Sequence, residues 1–134
     1  MKQSLLCLWL VLFMTGTLWA QPLKSQFRNV SANEAFQALQ QNEKDQPLEI
    51  LDFRTPAEFS RGHLAEAKLI NYFSTDFMKN IQELDRSKAY LVYCQVGGRS
   101  SQALNKMKQL GFQHVLHMNH GFAEWQSQGL PVSR

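Results

Sequence analysis

Cysteine is nearly absent from this chain: Cys7 and Cys94 are the two present in 134 residues. Long apolar runs are missing beyond residue 20, so nothing there reaches the roughly 20 residues that a membrane helix needs. Neither charge sign dominates. Fourteen basic residues stand against 11 acidic ones, a net +3 that is too mild to argue for nucleic acid. Repeats and low-complexity segments are also lacking, and no composition shift marks a second domain.

The first 20 residues differ from the rest. Met1-Lys2 is a short positive start, Leu5 to Phe13 is unbroken apolar sequence, and Ala20 precedes the polar QPLKSQ. That layout predicts a secretory signal peptide over residues 1–20 and one domain over 21–134. An uncleaved membrane anchor is the other reading, and Leu18 stands where signal cleavage favours a smaller residue. Cleavage would remove Cys7, leave Cys94 as the sole thiol and exclude an intramolecular disulfide. Exported domains of this size often rely on disulfides, so a lone thiol points towards reactivity. It also favours a bacterial periplasm over a eukaryotic secretory route, where Asn29-Val30-Ser31 would be a glycosylation sequon. No stable membrane insertion is expected once the leader is gone.

Residues 21–29 read as a lead-in. SANEAFQALQQNE has Ser31 as N-cap with Glu34 three residues on, a capping box. LEILDF is β-prone, and Pro56 to Gly62 predicts a helix of one or two turns. AKLINYF reads as a short strand and STDFMKNIQEL as a helix. AYLVYC is apolar throughout, as a strand covered on both faces should be. SSQALNKMKQLG predicts a helix stopped by Gly111, HVLHM a last strand and GFAEWQSQG a last helix with Phe122 and Trp125 in the core. The alternation gives an α/β domain with a mainly parallel sheet, in which ligands bind beyond the carboxyl ends of the strands.

Cys94 falls at such an end, in YLVYCQVGGRSSQAL. Gly97 and Gly98 permit a turn whose successive N–H groups face inward as an anion-binding concavity. Ser100 or Ser101 is expected to cap the following helix, whose positive end lowers the thiol pKa. Arg99 adds a fixed charge suited to an oxyanion. Ten of the 11 acids precede residue 86, so the half carrying the cysteine is basic, which favours anionic ligands.

CQVGGRS fits the C-x-x-G-x-R-S active loop of single-domain rhodanese-like sulfurtransferases. LDFRTPAEFSRGHLAEAKLINY resembles that family's upstream signature through Asp52, Arg54, Glu58, Gly62-His63 and Ala67. HGFAEWQSQGLP resembles its closing element through Gly121, Trp125, Gly129 and Pro131. The resemblance spans nearly all of residues 26–132 and implies a five-stranded parallel sheet flanked by helices. It also implies ping-pong transfer of sulfane sulfur, from thiosulfate or a similar small anionic donor to cyanide or a thiol. A protein acceptor is admitted. Cys94 would be the persulfide-forming nucleophile, with Gln95, Val96, Gly97, Gly98 and Arg99 lining the substrate. No cofactor or metal is implied.

Cell-cycle-type dual-specificity phosphatases share this fold but use C-x5-R. Here Arg99 closes a C-x4-R loop, which suits sulfur better than a tetrahedral phosphate. Gln95 and Val96 stand where many thiosulfate-using relatives carry a second cation. That keeps open an alternative: a sulfur-carrier or protein-docking module with little small-molecule turnover. His120-Gly121 replaces the family's usual glycine pair.

Among the remaining polar residues, Asp52, Arg54 and Glu58 admit a catalytic reading, but Arg54 is expected instead to pair with nearby carboxylates and pin the loop after LEILDF. Arg61 is placed at the site mouth, and His63 is expected to order a turn. His114, His117 and His120 do not share a face at their spacing, which argues against a metal site.

Overall fold

The computed structural model describes residues 25–41 and 47–134. The signal-peptide reading and Cys7 lie outside the described residues. Within them, the elements run β1 (Gln26–Val30), α1 (Ala32–Gln40), β2 (Leu48–Asp52), α2 (Pro56–Arg61), β3 (Lys68–Leu69), α3 (Phe77–Gln82), β4 (Ala89–Tyr93), α4 (Gly98–Gln109), β5 (His114–Met118) and α5 (Gly121–Ser127). The sheet order is β1-β5-β4-β2-β3, and every strand pair is parallel. No described helix is long and apolar enough to cross a membrane.

Local chemistry sets the helix starts. Ser31 and Glu34 form the expected capping box on α1, and Thr55 and Glu58 form a second one on α2, with Pro56 opening the helix. Gly111, at φ +86°, ends α4 in a Schellman turn in which Phe112 N–H donates to the Met107 carbonyl.

Two expectations change. The lead-in contains β1, which pairs along its whole length with β5. AKLINYF forms only the two-residue β3, because pairing with β2 stops at Leu69 and the chain turns away after Tyr72.

The β pleat sorts side chains onto two faces. Tyr90 and Val92 of β4, and Cys94 just after it, join a core with Phe77 and Ile81 of α3 and Ala103 and Met107 of α4. Leu91 and Tyr93 face the opposite core, with Ala35 of α1 and Phe122 and Trp125 of α5. The parity of one strand therefore sends Cys94 towards the start of α4.

Candidate functional site

Cys94 directly follows the apolar middle strand β4 and is 1% exposed. Its Sγ accepts hydrogen bonds from Gly97 N–H at 3.1 Å, Ser100 N–H at 3.4 Å and Ser100 Oγ at 3.3 Å. Burial pushes the thiol pKa up. The Ser100 hydroxyl and the N–H groups of Ser100, Gly97 and Val96 together outweigh that, so the thiol titrates below its ordinary value. Hydrogen bonds to a charged group are worth about 1.5–3 kcal/mol each, and here they favour the thiolate.

The helix cap differs from the expectation. Gly97, not Ser100 or Ser101, is the N-cap of α4, and it makes no side-chain cap bond. Ser100 lies inside the first turn, where its N–H donates to sulfur. The thiol thus occupies the place of a capping side chain. Gly97 sits at φ +104°, and an added Cβ would run into the Asn119 carbonyl.

The loop is held from behind by α5. Phe122 N–H donates to the Cys94 carbonyl at 2.8 Å and Ala123 N–H to the Gln95 carbonyl at 3.0 Å. With these carbonyls drawn back, the loop amides are left to turn towards sulfur. Gly121 makes that contact feasible, because a Cβ there would stand 2.5 Å from both carbonyl oxygens. His120, in place of the usual first glycine, adopts φ −99°, which suits any residue.

Arg54 is a buried pin, as expected, and among the described residues its carboxylate partner is Asp52. The pair closes at 2.7 Å with both side chains almost fully buried. Arg54 also donates to the Gly62 carbonyl and to Gln95 Oε1, and its guanidinium lies 4.0 Å from the Phe122 ring centroid. One side chain thereby joins the end of α2, the cysteine loop and α5. His63 orders its turn through Nδ1, 3.0 Å from the Phe59 carbonyl oxygen.

Glu58 pairs instead with Arg99, Nη1 and Nη2 each donating at 2.8 Å. This bond is the main cause that draws the Glu58 carboxyl down to about 2, with Thr55 assisting. A cavity of about 270 Å³ beside the loop is walled by Arg54, Glu58, Arg61, Gln95, Phe122 and Gln126. Arg61 thus shares this cavity with Gln95 of the cysteine loop. Val96 is 68% exposed at the loop's tip. Gly98 opens α4 beside it, with nothing near its missing Cβ.

Sequence reasoning missed the partners of Ser100. The Ser100 hydroxyl lies 2.7 Å from His117 Nε2, and His117 Nδ1 lies 3.0 Å from Asn29 Oδ1. Parity was the available signal: His117 shares the face of Val115, which packs in the same core as Cys94. Among the described residues no group of three candidate metal ligands forms.

The rhodanese-like domain family model matches residues 32–128. The chain is 27% identical over 117 residues to the probable adenylyltransferase/sulfurtransferase MoeZ of Mycobacterium tuberculosis. That match covers 79% of this chain and 30% of the relative, so the chain spans less than a third of that protein. It is 34% identical over 92 residues to the chloroplastic thiosulfate sulfurtransferase 16 of Arabidopsis thaliana, covering 61% of this chain and 77% of that protein. The crystal structure of a rhodanese-related protein from Thermoplasma volcanium superposes with a TM-score of 0.67 at 27% identity, covering 79% of this chain and 97% of that one. The family match opens with α1 and closes one residue past α5, so the cysteine loop and the elements that clamp it all fall inside it, and the chain belongs to the rhodanese-like domain family.

Proposed function

We propose that the protein is a sulfurtransferase that carries sulfane sulfur on Cys94. The observation that supports this most is the seat of Sγ. A buried sulfur with three donors within 3.4 Å is prepared to hold negative charge. The Cys94 thiolate attacks the outer sulfur of thiosulfate or a similar donor. A new S–S bond forms, the donor's bond to its sulfite sulfur breaks, and sulfite leaves with the electron pair. Cyanide or a thiol then takes the outer sulfur and returns the thiolate. Gln95, Val96, Gly97, Gly98 and Arg99 form the substrate side of the loop. The cations Arg61 and Arg99 suit an anionic donor. The apolar leader at residues 1–20 supports export to a bacterial periplasm.

A second reading, a sulfur carrier that docks a protein acceptor, is favoured by one observation. Arg99 is already paired with Glu58, while Val96 stands exposed at the tip. A steady-state assay with several donors separates the two, since a carrier turns over little. In the same assay Cys94→Ser is expected to show no transfer while keeping the wild-type circular dichroism. Retained turnover in that variant would overturn the mechanism.

A further inference from the structure

Four side chains form a chain of contacts on the α4 face of the sheet. Cys94 Sγ lies 3.3 Å from Ser100 Oγ, Ser100 Oγ 2.7 Å from His117 Nε2, and His117 Nδ1 3.0 Å from Asn29 Oδ1. The first three residues are 1%, 0% and 2% exposed, so a proton leaving the sulfur on this side meets side chains rather than water. Asn29 is on edge strand β1, opposite His117 in the β1–β5 register. A cavity of about 250 Å³ walled in part by Asn29, Lys108 and His117 opens at this far end, and it shares no wall residue with the one beside the loop.

We infer that His117 is a positioning residue that receives the Cys94 thiol proton through Ser100 and so sets the thiolate population. The inference rests on the reading of Cys94 as a thiolate nucleophile. Asn29 Oδ1 can only accept, so His117 Nδ1 holds the hydrogen and Nε2 presents a lone pair. With the thiol protonated, the single Ser100 hydroxyl hydrogen points to Nε2 and its oxygen accepts the S–H; its donation to sulfur belongs to the thiolate state. In the transfer the S–H bond breaks and its proton joins Ser100 Oγ, while the original hydroxyl proton passes to Nε2. The products are a thiolate, an unchanged serine and an imidazolium. No atom changes oxidation state and no other reactant is needed. The serine hydroxyl now donates to the thiolate, and the imidazolium Nδ1–H still donates to Asn29.

The groups facing His117 are few. Helix α4 contributes Lys108 and Ser100, and β1 contributes Asn29; Cys94 is reached only through Ser100. Burial, and next the positive charge of Lys108, hold the His117 pKa below its ordinary value. Both disfavour the imidazolium, so Nε2 keeps its lone pair towards Ser100 at rest, and the negative charge of the thiolate formed in the transfer is what offsets that cost.

The test is the pH titration of the thiolate's ultraviolet absorbance in the full chain, with Cys94→Ser subtracted to remove Cys7. His117→Gln preserves a polar side chain beside Ser100 but takes up no proton. Its apparent Cys94 pKa is expected to rise by about one unit, about tenfold less thiolate below the transition. Asn29→Asp places a carboxylate against Nδ1 at an exposed position and is expected to lower the same pKa. A folded His117→Gln that titrates like wild type overturns the relay. If that variant fails to fold, an Asn29→Asp that leaves the titration unmoved overturns it instead. Sulfur loading from thiosulfate, followed by mass in the same proteins, keeps the two readings apart. Loading with unmoved titrations removes the relay alone, whereas a wild type that never loads counts against sulfur transfer and leaves the titrations to decide the relay.

Discussion

At the scale of single residues, the site depends on two backbone positions as much as on the cysteine. Gly97 holds a left-handed φ against the Asn119 carbonyl, and Gly121 leaves room for the carbonyls of Cys94 and Gln95. Gly97→Ala must leave the left-handed region or displace Asn119. It is expected to cost at least about 1–3 kcal/mol, read as a lower midpoint in thermal or denaturant unfolding. It should also raise the Cys94 pKa, because the Gly97 N–H moves with the turn. An alanine variant with wild-type stability would contradict this account of the loop. The thiol, the glycines and the arginine were legible in CQVGGRSS because loop chemistry is local. The true cap was not. Serine is the commoner capping residue, and the sequence does not show that the cysteine sulfur takes up the helix's first N–H groups.

Elements place long-range partners that spacing cannot show. Helix α2 begins with the Thr55–Glu58 capping box and carries Glu58 to Arg99, 41 residues on. Glu58→Gln retains a residue suited to the capping box and removes the charge held against Arg99. With Arg99 released, the KM for an anionic donor is expected to fall by about two- to fivefold, the scale of a partly exposed ion pair. The same variant bears on acid stability. The folded carboxyl sits near 2, below its ordinary value of 4.5, so the unfolded chain binds the extra proton between those values. The Glu58 contribution is present above pH 4.5 and is lost as pH falls towards about 2. Glu58→Gln should flatten that part of the acid limb in pH-dependent melts. Strands show the same division. AYLVYC was legible because it is apolar on both faces. QFRNV was not, because an edge strand with three exposed positions has little pattern, and its identity comes from pairing with β5 far along the chain. His117 stayed hidden for the same reason: its partners arrive from β1 and α4.

At the scale of the molecule, the parallel sheet brings strand ends and helix starts to one edge, and buried contacts then lock them in register. Arg54 is the hub, bound to Asp52, Gly62 and Gln95 and packed on Phe122. Arg54→Leu leaves Asp52 as a buried charge without its partner. It is expected to destabilise the domain by about 3–5 kcal/mol in denaturant unfolding, an effect spread over loop, α2 and α5 together. At the chain's close, Trp125 Nε1 donates to the Pro131 carbonyl, and Ser133 bridges to His63, so the final residues brace the same corner.

The central claim is that Cys94 carries the sulfur. It is tested most directly by the intact mass of the purified protein after incubation with thiosulfate, before and after cyanide, with Cys94→Ser alongside. The account predicts a gain of one sulfur atom, about 32 Da, that cyanide removes and the serine variant never acquires. A protein that gains nothing from thiosulfate, polysulfide or mercaptopyruvate, or a serine variant that gains the same mass, would contradict it.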